Sequence, residues 1–386
     1  MTTTVPIAGT CDTKFEKLRD AFAANFDELG EVGAGVCVYV DGERVVDLWG
    51  GWADKARTRA WQEDTLVTVY STTKGMTTVA AHRLVEQGLL DLDAPVATYW
   101  PEFAQAGKAD IPVHMLLSHR VGLPVVSTKL PDDALYDWDL MTTTLAAQEP
   151  FWAPGTRHGY HGITFGWLVG EVVRRITGKS LGTFFRDEVA TPLGADFHIG
   201  LAAEHDHRVA EVIDAEVTPE MMERRDEMTK LMDPKLVSAQ PNIALVPGGH
   251  NTEAWRRAEI PAANGHTTAH GIARVYAALA QGGDLDGVHV LSPESIDRAT
   301  TEQAYGPDAM LAMMSTRFGQ GFWLTTKDAP LGKGPRGFGH PGFGGSVGFT
   351  DPDARIGFGY CMNQLKAGLT VETTGSRLVD ALYDCL

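Results

Sequence analysis

The chain has 386 residues, and its 33 basic against 50 acidic side chains give a formal net charge of −17. Hydrophobic residues at 44% and charged residues at 22% fit a globular protein with a large core, and the length alone suggests two or three domains. The acidic balance argues against general nucleic-acid binding and against docking on anionic lipid, and no run approaches the ~20 apolar residues of a membrane helix.

The opening stretch, MTTTVPIAGTCDTKFEKLRD, has no basic segment followed by an apolar one, so no secretory signal is expected. Cys11, Cys37, Cys361 and Cys385 are sparse and form no C-x-x-C. They read as reduced thiols in a cytoplasmic protein rather than as a disulfide framework or a zinc ribbon.

Residues 14–29 place Phe15, Leu18, Phe22, Phe26 and Leu29 at helical spacing, which predicts an amphipathic opening helix. A β-hairpin follows, with strands at Val36–Val40 and Arg44–Trp49 around the turn dipeptide Asp41-Gly42. From residue 71 the composition turns Ala- and Leu-rich, giving a helix that stops near Gly88. A mostly helical and loop region extends to about residue 264 and includes a helix ending at Gly178. After a further helix, GIARVYAALAQGG, strands return in RFGQGFWLT and on both sides of the Asp351–Arg355 turn. The tail TTGSRLVDALYDCL closes as a helix. Strands at both ends with helices between them predict an α/β lobe from residues 1–70 and 265–386 and a mainly helical lobe from 71–264. The catalytic motifs below come from both lobes, so the two form one unit with a pocket at their seam.

Two serines compete as nucleophile. Ser346 lies in a literal G-x-S-x-G, but the hydrolase elbow with that motif needs a helix after the serine and a histidine further on. Ser346 is followed by Val347-Gly348-Phe349-Thr350 and a turn, and no histidine follows His340. Ser71 lies in Tyr70-Ser71-Thr72-Thr73-Lys74, where β character gives way to a helix. Ser71 and Lys74 are three residues apart and share a helix face, and the helix N-terminus lowers the cost of an alkoxide and of a neutral amine. A desolvated Lys74 can then take the serine proton.

An S-x-x-K pair alone is weak, but two Gly-rich segments support it. Pro154-Gly155-Thr156-Arg157-His158-Gly159-Tyr160-His161-Gly162 sets a tyrosine in a loop before a helix, where a lysine cation would ease formation of its phenolate and let it act as a base. Gly339-His340-Pro341-Gly342-Phe343 lies at a strand edge, where free N–H groups can serve an oxyanion.

Together Ser71-x-x-Lys74, Tyr160-His161-Gly162 and His340-Pro341-Gly342 resemble the three-motif pattern of class C β-lactamase-related serine hydrolases, and most of all the family VIII carboxylesterases. Residues 116–123, Pro154-Gly155 and 264–268 match as well, and the likeness runs from about residue 15 to the end. The resemblance implies a β-lactamase/DD-peptidase-like fold, an antiparallel sheet flanked by helices plus an all-α lobe. It implies that Ser71 is the nucleophile, that Lys74 and Tyr160 share its proton, and that the Ser71 and Phe343 N–H groups form an oxyanion hole. It implies no cofactor and no metal, and a small-molecule ester as partner.

Two positions depart from the pattern. Gly162 replaces the usual Asn of Tyr-x-Asn, removing a substrate-holding amide. His340 replaces the lysine of K-T-G, exchanging a permanent cation for a group mostly neutral at pH 7. Both favour short- to medium-chain esters lacking a carboxylate. An acyltransferase on the same residues, a D-amino-acid amidase, a weak β-lactamase and a non-catalytic scaffold are the alternatives. His340, Gly342, His161, Trp152 and Trp323 are the candidate substrate contacts. His119 reads as a structural turn residue. The pairs His158/His161 and His266/His270 have metal-compatible spacing but nothing to complete a set. Met221, Met222, Met228 and Met232 suggest one helix face, either core or a pliable wall or lid over an acyl pocket. The natural ester and the oligomeric state are not legible.

Overall fold

A computed structural model of the chain describes residues 5–243, 248–368 and 371–386. Its centre is a nine-stranded antiparallel sheet. The strands are β1 (Ile7–Cys11), β2 (Gly33–Val40), β3 (Glu43–Gly51), β4 (Ala304–Pro307), β5 (Ser315–Phe318), β6 (Trp323–Leu324), β7 (Phe338–Pro341), β8 (Val347–Asp351) and β9 (Ile356–Met362), in the spatial order β1-β3-β2-β9-β8-β7-β6-β5-β4. The N-terminal hairpin and the C-terminal strands meet where β2 pairs with β9, with Val36 opposite Tyr360 and Val38 opposite Phe358. Asp41 and Gly42 both adopt positive φ, 52° and 85°, the backbone that a two-residue hairpin turn requires.

The principal helices are α1 (Glu16–Glu28), α2 (Thr73–Glu86), α3 (Thr164–Thr177), α4 (Pro219–Thr229), α5 (Ala269–Ala280) and α6 (Thr373–Tyr383). Helix α1 buries Leu18, Phe22 and Phe26, matching the periodicity of the sequence. Helix α3 ends on Gly178 in the left-handed conformation. Helix α5 starts on Thr268, whose side chain accepts from the Gly271 N–H, and lies directly on β2, β8 and β9. The approach needs glycine beneath it: a Cβ on Gly357 would stand 2.3 Å from the Ala277 nitrogen, and one on Gly359 2.3 Å from the Ala269 oxygen. Helix α2 is buried almost throughout, so Ser71 and Lys74 lie in the middle of the molecule.

The structure differs from the sequence expectations in four places. Strand β1, a short, Gly-containing edge strand, has no counterpart among them. The single strand expected over 317–325 is two, because the chain turns at Gly319–Phe322. The stretch 71–264 contains a strand, Phe197–His198, which forms a small ribbon with His266–Thr267 and Val67–Thr68. Helix α4 buries none of its residues, so Met221, Met222 and Met228 are solvent-exposed and are not core. All four cysteines are free. Among the described residues no helix is long and apolar enough to cross a membrane, and no cluster of His, Cys, Asp or Glu could hold a metal ion.

One buried acid couples this core to pH. Glu31 receives the Tyr360 hydroxyl on Oε2, and its Oε1 has no partner. Burial raises its pKa from the usual 4.5 to about 7, against the opposing pull of the Tyr360 hydrogen bond and of Lys366. The folded state therefore holds a proton that the unfolded chain releases near pH 4.5, and stability present below that pH is lost as pH rises through about 7. At about 1.4 kcal/mol per unit the change amounts to a few kcal/mol. Urea melts at pH 5 and pH 7.5 should show this slope in the wild type and a flatter one in Glu31→Gln.

Candidate active site

Ser71 lies in a short 3-10 turn, Tyr70–Thr72, that feeds α2. Tyr70 has φ of 45°, a left-handed conformation that a bulky residue holds only where its surroundings force it. Its ring packs edge-on to Phe343 at 5.5 Å. The serine remains partly accessible while the residues after it are buried.

Lys74 follows one turn later and is fully buried. Its Nζ lies 3.0 Å from Ser71 Oγ, 2.7 Å from the Gly162 carbonyl and 2.9 Å from the Ala262 carbonyl. Among the described residues no ion pair includes Lys74, and burial holds its pKa well below the usual 10.5. A neutral amine fits these contacts: two N–H bonds serve the two carbonyls, and the lone pair faces the Ser71 hydroxyl. The Ala262 carbonyl is held in place by Asn264, whose side chain accepts from Ile260 N–H and donates to the Trp255 and Ala258 carbonyls. Thr73 Oγ1 accepts from Gly265 N–H and fastens that turn to α2.

Tyr160 lies over Lys74, with Nζ 4.8 Å from the ring centroid. Burial lifts its pKa above the usual 10; interaction with the Ser71 hydroxyl pulls the other way, and the Asp308 charge adds to the lift. Burial thus disfavours both the Lys74 ammonium and the Tyr160 phenolate, the latter against the sequence expectation of a phenolate eased by a lysine cation.

The β7–β8 turn closes the site. Ser346 Oγ donates to the Val69 carbonyl at 2.8 Å and lies 3.2 Å from Thr72 Oγ1. Ser346 is thus a buried tie between this turn and the Ser71 turn. Gly342 is a spacing residue rather than a side-chain contact: a Cβ there would lie 2.1 Å from Ser346 Oγ and 2.4 Å from the Val69 carbonyl. Among the described residues, the N–H groups of Ser71 and Phe343 have no main-chain acceptor in a loop or turn.

The remaining candidates divide. His340 is buried beside Tyr160 and Trp323, at 5.8 and 5.6 Å between ring centroids. Its Nδ1–H donates to the Pro341 carbonyl at 2.7 Å, so Nε2, which has no partner, carries a lone pair. Desolvation first, and the nearby Lys74 second, keep the ring neutral. Trp323 packs edge-on to Tyr160 at 5.8 Å. His161 is turned away from this group: Nδ1–H donates to the Gly159 carbonyl, and Nε2 accepts from Leu123 N–H. With both nitrogens occupied it has no polar atom left for a substrate, and it holds the Tyr160 loop instead. Trp152 packs against His161 at 6.2 Å and in a satellite cluster with Val125, Leu236, Ala239 and Ala309. His119, at φ of 59°, accepts from the His161 N–H, the structural role expected of it. Nothing in the local sequence marks Asp308, which accepts from the Tyr160 N–H across 148 positions of chain.

Against known proteins, the Beta-lactamase family model matches residues 19–381. The chain belongs to the beta-lactamase family. It is 37% identical over 374 residues to the Esterase/beta-lactamase LipL of Mycobacterium tuberculosis, covering 95% of this chain and 85% of that one. A crystal structure of a family VIII carboxylesterase superposes with a TM-score of 0.91 at 45% identity, covering 99% of this chain and all of the other. A penicillin-binding protein homolog from Caulobacter crescentus superposes at 0.90 with 36% identity, covering 99% and 100%. This beta-lactamase-family protein thus has the β-lactamase/penicillin-binding-protein fold and is a serine hydrolase related to esterases.

Replacing Ser346 by alanine leaves the buried Val69 carbonyl without its hydroxyl donor and should cost about 1–3 kcal/mol. The expected outcome is a lower melting temperature with stoichiometric fluorophosphonate labelling retained. Loss of labelling in the folded variant would reinstate Ser346 as a nucleophile.

Proposed function

We propose that this protein is a carboxylesterase acting on short- to medium-chain esters through a Ser71 acyl-enzyme. The observation that carries the proposal is the buried Lys74 amine, without a counter-ion, 3.0 Å from Ser71 Oγ. In acylation Lys74 takes the Ser71 proton as Oγ attacks the ester carbonyl, and the Ser71 and Phe343 N–H groups bind the oxyanion. Tyr160 gives its proton to the departing alkoxide and recovers one from Lys74. Water then enters along the path of the leaving alcohol, loses a proton through the same pair, and releases the acid.

Three features support neutral esters. His340 presents a lone pair where a carboxylate would need a donor or a cation. The net charge of −17 disfavours anionic substrates. The direction of a Gly162 side chain is open, its nearest neighbour being Tyr160 Cε1 at 3.8 Å, so the absent amide leaves room beside Tyr160. Acyl transfer to an alcohol would use the same residues, and the name of the mycobacterial relative keeps β-lactam hydrolysis as a second reading.

The deciding measurements are p-nitrophenyl butyrate hydrolysis, chromogenic cephalosporin turnover and product partition with an added alcohol. Ester turnover should dominate, with acid as the main product, and Ser71→Ala should abolish both turnover and labelling. Lys74→Met should lose about 10²–10⁴-fold in kcat/KM. It should also melt lower than wild type, because the Gly162 and Ala262 carbonyls lose their donor. Full activity in Lys74→Met would refute the role of the lysine, and faster cephalosporin turnover would refute the choice of substrate.

A further inference from the structure

Asp308 is fully buried and lies outside the Ser71–Lys74–Tyr160 set. It follows β4, at the start of the connection to β5 at the outer edge of the sheet. Four donors converge on its carboxylate. The Tyr160 N–H reaches both oxygens, at 3.0 and 3.1 Å. The N–H groups of Met310 and Leu311 reach Oδ1 at 2.8 and 3.1 Å, and the Thr316 hydroxyl reaches Oδ2 at 3.1 Å. None of these donors is cationic. The nearest titratable nitrogen is His158 Nε2, which lies 3.9 Å from Oδ2 and 3.0 Å from Thr316 Oγ1.

The Met310, Leu311 and Thr316 bonds shape the β4–β5 connection itself. The Tyr160 bond is different, because it ties that connection to a loop from the other side of the site. The same hairpin also supports the ring, since Phe318 of β5 stacks parallel to Tyr160 at 6.2 Å. Main chain and ring of Tyr160 are therefore both set by the sheet edge, one through Asp308 and the other through Phe318.

We propose that Asp308 is a positioning residue for the hydrolysis, clamping the Tyr160 main chain to the β4–β5 hairpin so that the phenol stays aimed at Ser71. The inference rests on the proposed roles of Ser71 and Tyr160. It also explains a charge placement that is otherwise costly. A buried carboxylate with only neutral donors carries a desolvation cost, and its field acts on the ionisable groups nearby. Here that field opposes ionisation of Tyr160, keeping it a proton donor. The other groups facing Tyr160 are Lys74 from α2, His119 from the turn after Leu117 and His340 from β7, and all three are held toward their neutral forms by burial. Among these groups Asp308 alone supplies a negative charge.

The test is a double-mutant cycle of Asp308→Asn with Tyr160→Phe, read as kcat per fluorophosphonate-titrated site. In Asp308→Asn an amide N–H can face the Tyr160 N–H, and kcat should fall on the order of 100-fold with KM little changed, the scale of a misplaced catalytic group. Because Asp308 acts through Tyr160, Asp308→Asn should cost under about threefold more in the Tyr160→Phe background. The tyrosinate absorbance step that Tyr160→Phe removes should move to lower pH in Asp308→Asn. Asp308→Glu, which keeps the charge but shifts its position, should leave that step in place while kcat stays low.

Losses that multiply in the double variant, or a lower titre with unchanged kcat per titrated site, would mean a purely structural role and overturn the inference. Should Asp308→Asn fail to fold, Thr316→Val serves instead. Removing this one donor should lower kcat per site several-fold, and an unchanged kcat would be equally fatal. Ser71→Ala is measured alongside. Activity in Ser71→Ala would refute the acyl-enzyme mechanism, whereas an inactive Ser71→Ala with a normal Asp308→Asn would refute only the clamp.

Discussion

The amine of Lys74 is removed from water without a carboxylate to pair with, and the site is organised around that fact. Burying an ammonium in such a place is expensive, which shifts the group toward its neutral form. Burial alone would leave it without direction. The Gly162 and Ala262 carbonyls occupy two of its three contacts and turn the third toward Ser71. Those carbonyls belong to loops a hundred residues apart, and each loop has its own fastening. Asn264 and Thr73 hold one, and His161, His119 and Asp308 hold the other. Histidines that look catalytic by type thus act as neutral struts, keeping competing charge away from the lysine.

What the sequence reveals follows from distance along the chain. Ser71 and Lys74 are neighbours on one helical turn, so their partnership is written in the i, i+3 spacing. The hairpin around Asp41-Gly42 is likewise local. The Tyr160 and His340 loops are visible because glycine and proline punctuate them. The Ala262 carbonyl and Asp308 are not visible, because a backbone oxygen has no residue signature and an aspartate gains its meaning only from donors 148 positions away. The shifted acidities of Lys74 and Tyr160 are hidden for the same reason, because burial sets them and burial is not written in the local sequence. The spacing of methionines in α4 also misleads, since a helical apolar face reads as core whether or not anything packs on it.

The two departures from the penicillin-recognising pattern act together in space. At Gly162 the side chain is absent and nothing fills its place. At His340 the tautomer fixed by the Pro341 carbonyl leaves a buried lone pair on Nε2 in place of the lysine's cation. Neither position supplies the amide or the cation of that pattern.

The join between β2 and β9 has a consequence for biosynthesis. It pairs residues 34–40 with residues 356–362, so the centre of the sheet joins segments more than three hundred positions apart. During translation the early hairpin waits with an open edge while most of the chain is made, and contacts of such long range form slowly. The turn tied to the Val69 carbonyl through Ser346 belongs to that same late segment. A nascent chain therefore carries Ser71 and Lys74 long before residues 356–362 emerge to complete the centre of the sheet.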